Sequence, residues 1–240
     1  MGIDVSAGGA VSLTDAHEHR VQTGAGRRPH RHRTAGIEIH CVLRRTRSGD
    51  ARDDGNPLIY ALKGIHGHRI DMAEVRKLHR RAVLIGRRTI LPGQFDLIVP
   101  APSSSPITAR IARAVRLRVG DATVADVFRK ATVGEALDRA PDPREVPARD
   151  RGTYKSELGR LRKAQPTKRF AMKEVNFRVR PHFQPVVLDP NARLRHGQRI
   201  LIVDDLLASG STIACGAELL RRYFRPADVS GLVLLGPLQA

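Results

Sequence analysis

A chain of 240 residues is long enough to bury one large α/β core and too short for two full domains. Hydrophobic residues make up 41% of it but aromatics only 4%, with no Trp, so a core has to be built from Val, Leu, Ile and Ala. A formal charge of +18 draws polyanions, whether nucleic acid or phosphorylated small molecules, and the absence of any run of about 18 apolar residues leaves no membrane-spanning helix to expect.

Residues 1–35 are rich in Gly, Ser, His and Arg with little apolar periodicity, which reads as a flexible basic tail ahead of a domain over 36–240. The pairs His17/His19 and His30/His32 read as solvated side chains of that tail rather than metal ligands. Residues 37–43 read as a strand. Asn56-Pro57 opens a helix that ends near Lys63. A second helix is expected from Met72 towards Ile90, with Met72, Val75, Leu78 and Val83 as its apolar stripe. Residues 95–100 form a short apolar run suited to a buried parallel strand, stopped by the Ser/Pro loop 100–106, and 107–117 reads as an amphipathic helix. From 121 to 183 the pattern fades. Residues 124–129 and 154–164 read as helical, 141–152 as a mobile loop, and basic residues crowd the stretch 160–180. Residues 184–188, 199–203 and 229–235 read as strands and 212–224 as a helix. Strands alternating with helices predict an α/β fold with a mostly parallel sheet flanked by helices. Cys41 and Cys215 have no CxxC partner and lie in apolar surroundings, so packed thiols in a reducing, cytoplasmic setting are expected, with no structural zinc site.

The chemistry concentrates in residues 200–212. Four apolar residues, Ile200 to Val203, make a buried strand, and Asp204 and Asp205 stand at its C-terminal end, where open parallel sheets bind ligands. The small residues Ala208, Ser209, Gly210, Ser211 and Thr212 then open a helix. Small side chains let backbone N–H groups approach an anion, and the helix N-terminus adds partial positive charge. Acids for sugar hydroxyls beside a cradle for a phosphate are what a phosphorylated ribose needs.

This segment resembles the phosphoribosyl pyrophosphate (PRPP) motif of type I phosphoribosyltransferases, with Ala-Ser-Gly-Ser-Thr where the family often has Ala-Thr-Gly-Gly-Thr. The chain is also similar to the ComF group of competence-related phosphoribosyltransferase-like proteins, through residues 58–63 and the Val-Pro-Ala-Pro-Ser run at 99–103, but it lacks their Cys-rich zinc module. The resemblance implies a type I phosphoribosyltransferase fold. It implies that Asp204 and Asp205 hold ribose hydroxyls, that Ala208 to Thr212 hold the 5′-phosphate, and that Ala101, Ser103, Ser104 and Arg110 face the pyrophosphate. A mobile loop with Lys163, Lys168 or Arg169 would cover the leaving group, with Lys130 and Thr132 in a second candidate loop. Mg²⁺ would be carried by PRPP near Asp204 and Asp205. Lys63 is a further candidate for the pyrophosphate, and His182 and His196 read as loop histidines.

The expected activity is transfer of phosphoribose to a base with release of pyrophosphate, or binding of PRPP or a nucleotide without transfer. The alternative is a non-catalytic module that binds DNA or RNA through its basic surface, or a subunit of a nucleic-acid-associated complex; a homodimer is also in keeping with the resemblance.

Overall fold

The computed structural model describes residues 1–24, 26, 30–46, 55–103 and 105–237. In chain order the strands and helices are β1 (Gly2–Val5), β2 (Ala10–Thr14), β3 (Val21–Gln22), β4 (His30–Thr34), β5 (Ile37–Arg45), α1 (Asn56–Lys63), β6 (Arg69–Ile70), α2 (Met72–Gly86), β7 (Leu97–Pro100), α3 (Ile107–Val119), β8 (Thr123–Val124), β9 (Phe128–Lys130), α4 (Val133–Asp138), α5 (Ala148–Arg162), β10 (Val186–Leu188), β11 (Arg199–Leu206), α6 (Ser211–Phe224) and β12 (Asp228–Pro237).

The main sheet has seven strands. Five run parallel in the order β5, β12, β11, β7, β8, and β3 and β4 pair antiparallel with the free edge of β5. Its central strands are apolar throughout because helices cover both faces. Ile200 and Ile202 of β11, Leu97 and Val99 of β7, and Val229 and Val233 of β12 pack with Ile213, Ala217 and Leu220 of α6. The alternate residues Ile98, Leu201, Val203 and Leu232 pack on the other side with Leu58 of α1, Leu78 and Ile85 of α2, and Ala112, Val115 and Val119 of α3. This is a mixed α/β architecture with an open sheet.

Where a flexible tail is expected over 1–35, the described residues form the strands β1 to β4. β1 and β2 form an antiparallel pair extended by β6, and Met1, Ile3, Val11 and Leu13 are buried in the same core as α1 and α2. α2 clamps β2 from outside, with the Glu74 carboxylate accepting the Leu13 N–H at 2.6 Å and Lys77 Nζ donating to the Leu13 carbonyl at 2.9 Å. Strand alternation places single apolar residues two apart, with Asp4 and Ser12 between them, and such short runs give no signal in a helical window. Residues 124–129 also differ from expectation: Val124 ends β8 and Phe128 begins β9, because Val127 and Phe128 are buried by sheet contacts and not along a helix stripe.

β9 and β10 pair antiparallel, with Val186 opposite Lys130, and enclose everything between them as a separate cap. The cap contains α4, α5 and two 3-10 turns, Met172–Glu174 and Phe177–His182. α5 begins at Ala148, inside the stretch expected to be a mobile loop. Its core is its own, built from Tyr154, Leu158, Leu161, Phe170, Val179 and Phe183. Both cysteines are buried, and burial pushes the Cys41 thiol up to about 12 and the Cys215 thiol to about 11, as fits packed rather than nucleophilic groups. Among the described residues no helix is long and apolar enough to cross a membrane.

Candidate functional site at the carboxyl ends of the central strands

Strand alternation separates the two acids that end β11. Asp205 belongs to the row of Leu201 and Val203 and points to the side of α1 and α3. It is 4% exposed, and Lys63 Nζ, at the end of α1, reaches its two carboxylate oxygens at 2.9 and 2.8 Å. Thr108 Oγ1 in the first turn of α3 donates to the same carboxylate at 3.5 Å. α1 can deliver Lys63 here because Pro57 starts the helix and Gly64, in the left-handed region, stops it one residue later.

Asp204 belongs to the other row, with Ile200 and Ile202, and is half-buried. Its Oδ1 accepts the Asp205 N–H at 2.8 Å. Burial first, and the negative charge of Asp205 second, lift its carboxyl from 3.8 to about 7, against the opposing pull of Lys63 and Lys130. Near neutral pH its carboxyl is therefore held partly protonated.

The loop after β11 is fixed at its root and open at its tip. Leu207 donates its N–H to the Leu235 carbonyl at 2.9 Å, and its own carbonyl accepts from Arg45 Nη2 at 3.3 Å. Arg45 is buried and also donates to Asn56 Oδ1 at 2.8 Å. Ala208 and Ser209 are exposed, Ser211 and Thr212 half-buried. Gly210 is the residue that makes this turn: its φ is +73°, and a Cβ there would sit 3.2 Å from Thr34 Cγ2. Gly210 has no side chain to cap α6; the Ser209 hydroxyl takes a long bond of 3.4 Å from the Ser211 N–H and lies 2.8 Å from the Ser211 hydroxyl. A helix start of this kind, with backbone N–H groups and hydroxyls at the positive end of the helix dipole, has the chemistry to receive an anion.

Next to Asp205 lies a cleft of about 570 Å³, roofed by the cap, whose lining includes neither Asp204 nor Asp205 nor any of Ala208 to Thr212. Thr108 links the cleft to Asp205, since it lines the one and touches the other. Ala101 and Ser103 form one wall, held by the Ala101 N–H donating to the Val203 carbonyl at 2.7 Å. Lys130 and Thr132 at the end of β9, and Arg169 from the cap, form the other. Thr132 and Arg169 bridge as isolated β partners, and Thr132 closes a capping box with Glu135, so both are held in place by backbone. Arg129 also lines the cleft while its guanidinium grips the Glu135 carboxylate, which that contact draws down to about 2.

Of the expected pyrophosphate contacts, Ala101 and Ser103 line the cleft and Ser104 lies outside the described residues. Arg110 is exposed on the next turn of α3, outside the cleft wall. Of the expected loop cations Arg169 is at the cleft. Lys163 lies at the end of α5, and Lys168 turns its ammonium to Glu174 at 3.5 Å. His182 is not a loop residue but ends the 3-10 turn Phe177–His182, where it packs edge-on against Tyr154, and His196 bonds the Phe224 carbonyl at 2.8 Å. Arg129 and Asp126 were not foreseen; the helical reading of 124–129 concealed them, and only the turn between β8 and β9 brings them to the cleft.

Among the described residues no group of three or more His, Cys, Asp or Glu is arranged to hold a metal ion. With Asp205 taken up by Lys63, only Asp204 of the acid pair would be left to face an ion such as Mg²⁺ brought in on a ligand's own oxygens. Searches of protein-family models, of curated proteins and of solved structures each return no match to this chain.

Proposed function

We propose that the chain binds PRPP or a related ribose phosphate and transfers phosphoribose to a base, in the manner of type I phosphoribosyltransferases. What supports the reading is Asp204 and the N-terminus of α6 at the carboxyl end of β11, with Lys130, whose charge acts on Asp204, and Arg169 lining a cleft that Thr108 joins to Asp205.

Each part has one task in this reading. The loop from Ala208 to Thr212 takes the 5′-phosphate. Asp204 meets the ribose hydroxyls, while Asp205 and Lys63 neutralise each other beneath the site and fix the end of β11. Ser103, Lys130 and Arg169 face the pyrophosphate, and their positive charge stabilises it as the bond to C1 breaks. Mg²⁺ bound with the ligand supplies further neutralisation of the pyrophosphate. The cap excludes water that would otherwise hydrolyse the sugar phosphate.

Calorimetry with PRPP and Mg²⁺ tests the reading. The native chain should bind in the micromolar range, and both Asp204→Asn and Lys130→Gln/Arg169→Gln should weaken binding tenfold or more, after which a screen of bases for pyrophosphate release identifies the acceptor. A folded native chain that does not bind PRPP or a nucleoside monophosphate overturns it.

A further inference from the structure

The excess positive charge is concentrated. α2 with the two residues that follow it, Arg87 and Arg88, and α3 make up 30 residues; they hold ten Lys and Arg against the single acid Glu74, a surplus of nine and so half of the chain's +18. Glu74 is turned inward and bonded to the Leu13 N–H. Both helices lie on one face of the sheet, with Leu78 and Ile85 of α2 and Ala112, Val115 and Val119 of α3 facing inward. Helical spacing then forces the rest outward. Arg76, Arg80 and Arg87 form one exposed row and Arg110, Arg113 and Arg116 a second.

The stretch 160–180 is nearly as basic, with eight Lys and Arg, but half of them are engaged, Arg169 lines the cleft, and only Arg162, Lys163 and Lys173 are left exposed without an acidic partner among the described residues. Arg160 is paired with Glu157, Arg178 with Asp150 and Lys168 with Glu174, and Arg180 donates to the Val175 and Lys173 carbonyls. Among the described residues the six guanidinium groups of the two rows have no acidic partner. The row on α2 spans about 16 Å at 1.5 Å per residue, the length over which one duplex strand presents about five phosphates. All six are Arg, whose planar fork matches phosphate oxygens. Among the described residues the exposed Phe and Tyr side chains, Phe177 and Tyr223, lie elsewhere, in the cap and on α6, which leaves His79 as the one exposed ring of α2 and little platform for stacked single-stranded bases.

We propose that the outer face of α2 and α3 docks the sugar-phosphate backbone of duplex DNA without regard to sequence. The six arginines do not line the cleft, although α3 also supplies Thr108 and Ala109 to its wall, and the proposal does not depend on what the cleft binds.

The test measures binding of a labelled duplex of arbitrary sequence by fluorescence anisotropy across a salt series. It compares the native chain with Arg76→Gln/Arg80→Gln/Arg113→Gln/Arg116→Gln and with a control that removes the same charge from exposed sites elsewhere, Arg144→Gln/Arg193→Gln/Arg195→Gln/Arg222→Gln. All eight positions are exposed, and thermal melts establish that both variants are folded. The face variant should lose at least tenfold in affinity, and the slope of log affinity against log salt should fall by about 3 to 4, one phosphate contact per arginine. The control should change less than threefold. Equal losses in the two variants, or no duplex binding by the native chain, overturn the proposal. So does equally tight binding to vesicles containing phosphatidylserine, which would assign the face, with its exposed Leu84 and Leu117, to a lipid surface.

Discussion

Two neighbouring carboxylates at the end of β11 have opposite fates, and each makes a prediction. Asp204 holds its proton more tightly in the folded chain than in the unfolded one, because its carboxyl is lifted to about 7. Stability therefore falls as pH rises from about 4 to about 7, and the cost is complete above that. Asp204→Asn removes the cost and keeps an oxygen for the Asp205 N–H. Its melting temperature should exceed that of the native chain at pH 8 and equal it near pH 4. Asp205 is instead held by Lys63, with side-chain exposures of 6% and 23%. Lys63→Met leaves a buried carboxylate without its partner and should lower stability by about 3 kcal/mol in denaturant unfolding; adding Asp205→Leu should return part of the loss. The acid pair was legible in the sequence as a ligand site. Its division into a working acid and an anchored one was not, because that follows from the pleat of β11 and from a lysine 142 positions away.

At the level of elements, the strands and helices with unbroken apolar patterns were readable: β5, β7, β11, α3 and α6 lie close to where periodicity puts them. The cap was not. Its core residues are sparse and separated by Pro and charged residues, and Tyr154 meets Phe183, and Phe183 meets Phe170, only after the chain has turned back on itself. What begins the cap is a local device, the capping box of Thr132 and Glu135 at the start of α4, with Arg129 clasping the same Glu135. Its carboxyl titrates near 2 and not near 4.5. The associated stability is complete above the unfolded value and is lost as pH falls from 4.5 towards 2. Glu135→Gln should therefore melt below the native chain at pH 7, with the difference closing by about pH 2.

For the molecule as a whole, a charge of +18 on one domain means self-repulsion in the folded state. Raising salt from about 20 mM to about 500 mM contracts the screening length from roughly 20 Å to a few ångströms, so the melting temperature should rise, by about 2–4 °C for each kcal/mol of repulsion removed. A melting temperature that falls with salt would place the balance with attractive pairs such as Arg199–Asp96. The amino-terminal strands make a related point about scale: their apolar residues carry too little local signal to be recognised alone, yet Met1, Ile3, Val11 and Leu13 complete the core under α1 and α2.

The cap leaves the sheet domain through one doorway. Its first and last residues, Ala131 and Pro185, are joined by an N–H to carbonyl bond of 3.1 Å, continuing the β9–β10 pair. The two ends thus lie as close as those of an ordinary hairpin turn, although more than fifty residues separate them. Replacing residues 131–185 by a short Asn-Gly turn would leave β9 and β10 in register. The cap is, in that sense, an interchangeable cassette, and variation confined to it can retune what enters the cleft without disturbing the strands that hold Asp204 and the loop after it.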